Sequence, residues 1–373
     1  EGELWYDSTN KDFKYQYPNV STSGSWRTIN SLDTPRTNLA GSGIYTAALA
    51  FGGSGPIPAK GALTEKYDGT SWTEVNDLNT ARGSLAGTGT QTSSLAFGGE
   101  TTVMVNLTES WNGTNWTAVN TLNTTRGLLG GAGADNTAAL AFGGEAPPGT
   151  AATELWNGTN WTSVNSLNTA RLMVAGVGTS TAALAFGGRI PPHTGVTESW
   201  NGTNWTTVPA TLNTPREKLA GAGTQTSALA FGGYDTEDKT AVETWNGTAW
   251  SDASALSTAR SGLAGAGTAT NALAFGGSGL SALTEEWTGA GAPVGAWSTG
   301  GALNTARAQN AGAGASNASG LTFGGSPIPG VAGKTELYDG TSWTEVNDLT
   351  KGGVSIGGTG TSTSALAFGR EDP

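Results

Sequence analysis

The sequence has no cysteine, which excludes disulfides, thiolate catalysis and cysteine-ligated zinc or iron–sulfur sites. It has one histidine, His193, too few for a multi-histidine metal site or a histidine relay. Charge is scarce and mostly of one sign. Asp, Glu, Lys and Arg make up 13% of the residues, about half the usual share, and the net charge is −11. Without clustered Lys and Arg there is nothing to release counterions from a phosphate backbone, so no nucleic acid and no anionic membrane surface is expected as a partner. No apolar run approaches the roughly 18–20 residues of a membrane span, and membrane insertion is not expected. The opening Glu1-Gly2-Glu3 carries neither the basic nor the apolar stretch of a signal peptide; lacking an initiating Met, the sequence reads as a processed chain or a fragment.

What the chain does have is glycine, 59 of 373 residues, and large aromatics, 14 Trp and 9 Phe. The aromatics are too many for a disordered segment and the glycines follow no three-residue period, so a packed, turn-rich β protein remains. The segment Thr153 to Gly188, TELWNGTNWTSVNSLNTARLMVAGVGTSTAALAFGG, recurs along the whole chain. The Phe of its Phe-Gly step returns at 51, 97, 142, 186, 231, 275, 323 and 368, and the Trp of its Asn-Trp-Thr-like step at 26, 72, 116, 161, 205, 250, 297 and 343. A basic residue follows each Trp: Arg36, Arg82, Arg126, Arg171, Arg216, Arg260, Arg307 and Lys351. The marks repeat every 44 to 48 residues, so one module is written eight times.

Within a module, the apolar run closed by Gly-Gly, as in Ser227 to Gly233, predicts a strand. Glu243 to Trp250, ETWNGTAW, predicts two strands joined at Asn-Gly by a type I′ turn, which needs positive φ at both central residues. Asp68-Gly69 and Asp339-Gly340 stand at the same place in other copies. The LAGAGT run after the basic residue predicts a thin strand that packs closely on its neighbours. No helix is expected. Four-stranded antiparallel modules of this length, repeated radially, make a β-propeller.

The constant order of basic residue, Gly-Gly, aromatic and Trp resembles the kelch repeat. The resemblance implies a disc of blades, innermost strand first, whose loops carry binding, and counting strands then gives an all-β fold, an eight-bladed kelch-like β-propeller with four antiparallel strands per blade. Residues 1–30 would supply the third and fourth strands of the closing blade, within Leu4 to Tyr17 and Trp26 to Asn30. Residues 31–349 would form seven full blades, and residues 350–373 the closing blade's first and second strands, Val354–Gly358 and Ser364–Phe368. The N- and C-terminal strands would then close the last blade and leave no open edge. A seven-bladed ring is the alternative, and it would strand two half-blades.

Thirteen of the 14 Trp occupy the two template positions, on the third and fourth strands, and are read as wedges between sheets, each contributing about 2–3 kcal/mol of burial. The eight cations, from Arg36 to Lys351, would sit at one mouth of the central channel. A Glu stands two residues before each third-strand aromatic: Glu65, Glu109, Glu154, Glu198, Glu243, Glu285, Glu336 and, by position, Glu3. Cation–Glu pairs that hold neighbouring strands are the structural reading, and a cationic ring gripping an anionic ligand the functional one; eightfold repetition favours structure. The modules differ in the loops between second and third strands, Ser54–Leu63, Glu100–Leu107, Glu145–Ala152, Arg189–Val196, Tyr234–Val242, Ser278–Leu283 and Ser326–Lys334. Variable loops on a rigid scaffold are how binding surfaces are built. Lys60, Arg189, His193, Tyr234, Asp235, Glu237, Asp238 and Lys334 are the candidate contact residues. The dense acidic run Tyr234 to Asp238 reads as a solvated loop rather than a metal site.

Catalysis is not expected. The copper oxidase of the kelch family needs Cys, Tyr and His ligands, and sialidase-like propellers need an arginine triad with a Tyr nucleophile, whereas seven of the ten Arg here are template residues. No catalytic residue, cofactor or metal is assigned. Sequons such as Asn112, Asn115, Asn157 and Asn160 follow from the Asn-Gly-Thr turn and are not read as glycosylation sites. Thr64–Leu78 and Thr335–Leu349 differ only at Lys66 against Leu337, the mark of copies duplicated or homogenised recently. This Thr/Asn/Gly/Ala-rich array, opening Gly2-Glu3-Leu4-Trp5-Tyr6-Asp7, resembles virion and tail-associated proteins of bacteriophages, especially from marine hosts. The expectation is a non-enzymatic structural and binding propeller of a phage particle, in a tail, a fibre or a capsid decoration, virion-borne or extracellular. Its partners would be other virion or surface proteins and host glycans. A secreted bacterial lectin or adhesin that binds glycans is the alternative.

Overall fold

The computed structural model describes residues 4–7, 12–20, 24–55, 61–146, 149–279, 281–289, 293–299, 303–305, 311–316, 319–324, 333–339, 342–352 and 357–368. All 33 named elements are β-strands, and no helix occurs among the described residues. The chain divides into two units, Thr22–Ala290 and Glu1–Ser21 with Gly291–Pro373.

Strands β1 (Leu4–Asp7), β2 (Asp12–Val20) and β3 (Ser25–Ile29) precede the first full module. Sheet 1 then runs β4 (Ala40–Ile44), β5 (Ala47–Phe51), β6 (Thr64–Tyr67), β7 (Trp72–Val75). Sheet 2 is β8 (Ala86–Thr90), β9 (Ser93–Phe97), β10 (Thr108–Trp111), β11 (Trp116–Val119). Sheet 3 is β12 (Gly130–Asp135), β13 (Ala138–Phe142), β14 (Thr153–Trp156), β15 (Trp161–Val164). Sheet 4 is β16 (Ala175–Gly178), β17 (Ala183–Phe186), β18 (Thr197–Trp200), β19 (Trp205–Val208). Sheet 5 is β20 (Ala220–Gly223), β21 (Ala228–Phe231), β22 (Val242–Trp245), β23 (Trp250–Ala253). Sheet 6 is β24 (Ala264–Gly267), β25 (Asn271–Phe275), β26 (Thr284–Thr288), and its fourth strand is β3. In the other unit β27 (Pro293–Thr299) joins β2 and β1. There, β28 (Ala311–Ser316), β29 (Ser319–Phe323), β30 (Thr335–Tyr338) and β31 (Trp343–Val346) form sheet 7, and β32 (Gly357–Thr361) pairs with β33 (Ser364–Phe368).

All pairings are antiparallel within a module, and the repeated four-stranded sheets make a propeller-like arrangement. Within Thr22–Ala290 the innermost strands β4, β8, β12, β16, β20 and β24 neighbour one another in turn, and β24 neighbours β4. The small residues of these strands are what let the sheets approach. A Cβ on Gly87 would lie 2.3 Å from Cζ of Phe51 in the preceding sheet, and one on Gly41 would lie 2.5 Å from Cζ of Phe275 in sheet 6. The same Phe rings stack against fourth-strand Trp side chains, as Phe51 does on Trp116 with centroids 4.9 Å apart and Phe275 on Trp72 at 4.9 Å. Each core is therefore a seam between neighbouring sheets, built from one sheet's Leu and Phe and the next sheet's Trp pair. Four third-strand indoles are buried yet satisfied: the Nε1 of Trp111, Trp156, Trp200 and Trp245 donates to a carbonyl of the hairpin joining the first two strands of its own module.

Two expectations change. The first copy's fourth strand does not complete the C-terminal pair. β3 lies on β26, with Trp26 opposite Trp287 and Ile29 opposite Thr284, the register that the fourth strands of sheets 1 to 5 and 7 keep. The template signature is shared by Trp26 and Trp297, so β3 fits an edge that belongs in chain order to β27. The Asn-Gly link is also not a type I′ turn. Strands end at Trp111 and resume at Trp116, and of the two central residues only Gly113, at φ +93, is left-handed. Asn112 instead turns its Oδ1 back to accept from the N–H groups of Thr114 and Asn115, a side-chain cap that needs no positive φ at Asn.

Candidate functional site

The template cations are held inside the sheets. Arg36–Glu65 (2.7 Å), Arg126–Glu154 (3.1 Å), Arg171–Glu198 (3.3 Å) and Arg260–Glu285 (2.8 Å) are ion pairs, as are Arg82–Glu109 and Arg216–Glu243, and none of these side chains is more than 2% exposed. The Glu does a second job. Glu65 also accepts from the N–H of Asp33 (2.6 Å) and Thr34 (3.4 Å), tying down the segment that enters the module. Burial pushes the guanidinium groups of Arg36, Arg82, Arg126 and Arg260 below their usual range and that of Arg171 down to about 10, against the pull of the paired carboxylates. Burial likewise pushes the Glu65 carboxyl up, with Arg36 opposing. These groups are closed to any external ligand. Lys351 is exposed, and Arg307 lies outside the described residues.

The mouth itself is lined two residues further on. Asn38, Ser84, Leu128, Met173 and Lys218 have φ between 53° and 57°, and Gly262 has φ 61°. Each N–H donates to the carbonyl of the equivalent residue one sheet back: Ser84 to Asn38, Leu128 to Ser84, Met173 to Leu128, Lys218 to Met173, Gly262 to Lys218 and Asn38 to Gly262, at 2.7 to 3.3 Å. The chain of six bonds closes on itself. It frames a depression of about 100 Å³ whose side chains are all different at the left-handed position. Sequence periodicity does not reveal this ring, because the backbone is repeated there while the residue types are not.

One stretch of the rim gathers charged and aromatic groups. The loops leaving sheets 4 and 5 start at Arg189 and Tyr234, which bridge to Leu172 and Glu217. Glu217 is 4% exposed, and its Oε2 lies 3.5 Å from His193 Nδ1 and 3.7 Å from Arg189 Nε. Neither Glu217 Oε2 nor His193 Nδ1 has a hydrogen-bond partner. The His193 ring stands edge-on to Tyr234 at 6.2 Å, and the Lys218 ammonium lies 5.9 Å from the Tyr234 ring centre. Arg189, His193 and Tyr234 are thus brought together with Glu217 and Lys218, two residues that sequence reasoning missed. Their signal was positional: among the six copies from Arg36 to Arg260, a charged residue follows the template Arg by one or two places only after Arg216.

The other candidates are separate from this cluster. Lys239 holds Asp235 (2.9 Å) and Glu237 (3.1 Å), and its hydrogen bond brings Asp235 down to about 2. Asp238 accepts from the Ser278 hydroxyl, linking the loops of sheets 5 and 6. Among the described residues no group of three or more His, Asp or Glu is placed to hold a metal ion. Lys334 pairs with Glu345 and, at 3.7 Å, with Asp348. Lys60 lies outside the described residues.

Arg189 and Lys218 offer donors and Tyr234 an aromatic face, with the Glu217 carboxylate buried beside Arg189 and His193, a combination suited to binding polar groups. No protein-family model matches the chain, and no curated protein matches it.

Proposed function

We propose that the protein is a non-catalytic binding scaffold, a propeller closed on six sheets over Thr22–Ala290, whose contact surface is the channel mouth and the loops leaving sheets 4 and 5. The observation that carries this is the ring at Asn38, Ser84, Leu128, Met173, Lys218 and Gly262. A non-glycine residue in the left-handed region costs on the order of 1 kcal/mol or more, and glycine would occupy it without that cost. Five of six copies keep a side chain, and no two are alike. Strain kept at equivalent positions with differing chemistry is the mark of a recognition surface. The template positions, by contrast, are consumed by packing and ion pairs.

The setting we propose is a virus particle, as a tail, fibre or capsid-decoration component, virion-borne or extracellular, contacting other virion proteins or host surfaces. Immunogold electron microscopy of the source culture tests it: label at a fixed place on virus-like particles supports the setting, and label on cells or free in the medium overturns it. A secreted lectin or adhesin is the second reading, favoured by Tyr234 with His193 and Lys218 beside its ring, an aromatic platform flanked by polar groups. A glycan array probed with the whole chain and with Tyr234→Ala decides between them, since a lectin would lose its signal with the ring.

A further inference from the structure

Sheets 2 to 5 each join their third and fourth strands through Asn-Gly, at Asn112-Gly113, Asn157-Gly158, Asn201-Gly202 and Asn246-Gly247. All four Asn are exposed. In each, Oδ1 accepts from the N–H groups two and three residues further on, at 2.8 to 3.0 Å. The Nδ2 amide of these four Asn donates to no group among the described residues, and neither does the N–H of the glycine that follows. That glycine is left-handed in every copy, with φ from 89° to 93°, and it has no Cβ to shield its own nitrogen.

Sheet 1 makes the same turn with a carboxylate. Asp68 stands at the Asn position, and its Oδ1 accepts from the N–H groups of Thr70 and Ser71, both at 2.8 Å, ahead of Gly69 at φ +95. Asp339 of sheet 7 likewise accepts from Ser342 N–H at 2.8 Å. The bonds from Ser71 and Thr70 hold the Asp68 carboxyl below its usual range. Both bonds run to Oδ1, an atom that Asn and Asp share. Exchanging the amide NH2 for O⁻ therefore keeps the turn and makes its two bonds charge-assisted.

We propose that Asn112, Asn157, Asn201 and Asn246 are sites of spontaneous deamidation, each becoming Asp in a turn that keeps the Asp68 geometry. The glycine N–H gives its proton to hydroxide and the nitrogen attacks the Asn Cγ. The oxyanion develops on Oδ1, where two N–H donors already point. The Cγ–Nδ2 bond then breaks, and the nitrogen takes a proton from water and leaves as ammonia. Water opens the resulting succinimide at Cγ, breaking the bond to the glycine nitrogen and leaving Asp. Opening at the main-chain carbonyl gives isoaspartate instead, which adds an atom to the backbone and does not fit the turn that Asp68 makes. The four hairpins leave the end of each antiparallel sheet opposite its second-to-third loop, so every step adds a negative charge on the face away from the mouth. Asn115, Asn160 and Asn204 sit in the same turns and lack the chemistry. Each precedes a buried Trp rather than glycine, and its Oδ1 accepts from the Asn76, Asn120 or Asn165 amide of the preceding sheet.

The test holds the full chain folded in warm alkaline buffer and follows it by ion exchange and by peptide mapping that separates Asp from isoaspartate. The expected result is a ladder of species carrying up to four negative charges beyond the starting −11, with Asp at 112, 157, 201 and 246 and Asn retained at 115, 160 and 204. A variant with Asn112→Asp, Asn157→Asp, Asn201→Asp and Asn246→Asp should start at the end of that ladder and melt no lower than the parent. No conversion in the folded chain overturns the proposal, and conversion in a protease digest alone shows the turns to be protective. Conversion at Asn115, Asn160 and Asn204 at the same rate removes the Asn-Gly turn as the cause. Isoaspartate as the main product, or a lower melting temperature in the four-Asp variant, overturns the retained turn.

Discussion

Replacing Glu154 by Gln removes one charge and one acceptor oxygen from the interior of sheet 3 while keeping the side chain's shape. The carboxylate is fully buried and accepts from Asn123 N–H (2.6 Å), Thr124 N–H (3.2 Å) and Arg126 Nη2 (3.1 Å). Arg126 cannot follow its lost partner to water. It is itself fully buried and also donates to the carbonyls of Ala152 (2.6 Å) and Gly143 (3.3 Å). The variant therefore leaves a guanidinium with no counter-ion in a low-dielectric site, and because an amide has one acceptor oxygen where the carboxylate used two, it also leaves one backbone N–H facing an NH2 donor. Removing one partner of a buried pair costs about 3–5 kcal/mol. Gln keeps the shape, so no cavity cost is added. For a unit of this size that is a fall in Tm of roughly 6–20 °C. Calorimetry is the assay, because Thr22–Ala290 and the remaining unit give separable transitions if they unfold separately. The control is Arg27→Met, whose pair with Glu286 leaves the Arg side chain 71% exposed and should cost less than about 1 kcal/mol. If Glu154→Gln cost no more than Arg27→Met, the template pairs would be neither dry nor structural.

Overpacking should be local to the seams: Gly87→Ala places a Cβ 2.3 Å from the Phe51 ring and should cost about 1–3 kcal/mol, whereas Gly55→Ala, with its nearest atom at 3.7 Å, should be silent in the same melt. Thr153→Val removes the acceptor of Trp205 Nε1 and should cost about 1–3 kcal/mol, and Val242→Thr should gain about 0.5–1.5 kcal/mol by offering an acceptor at the one seam that lacks it. A Tm that falls with Val242→Thr would refute the indole ladder. The Asp235 carboxyl is depressed below its unfolded range, so the stability it lends the loop is present above about pH 4 and is lost as pH falls toward 2. An NMR titration should place its midpoint near 2 and return it toward the ordinary range in Lys239→Met; an unchanged midpoint in that variant would remove Lys239 as the cause.

The strands were legible because each carries its own local signal, and so were the seams. Aromatic and glycine recur in constant order, and a glycine such as Gly87 has to face a large ring such as Phe51 when sheets stack. The pairing of Arg with Glu followed from two independent eightfold patterns at fixed offsets. The left-handed ring at the mouth was not legible. Leu128 and Met173 are poor residues for φ near 55°, and nothing in their identity announces it; the conformation is imposed by a cycle of six bonds that exists only when six modules meet. Glu217 was hidden for a related reason, since its contacts with His193 and Arg189 join a loop of one module to the start of the next, at positions where the copies share no residue type.

The partner of β3 was the least legible feature, and the repeat itself is the cause. Successive modules make the same contacts at one described seam after another: a Phe on a Trp, a glycine under a Phe, an Asn reaching the next hairpin, as Asn30 does to Thr70 O and Asn76 to Thr114 O. The sum of nearest-neighbour terms is then almost indifferent to which fourth strand closes which sheet. What separates the closures is the curvature each ring imposes and the few positions where copies depart from the template. Val242 is such a position. It leaves one seam without an indole acceptor whichever Trp fills it, and so makes the β26 edge the weakest place to hold a fourth strand.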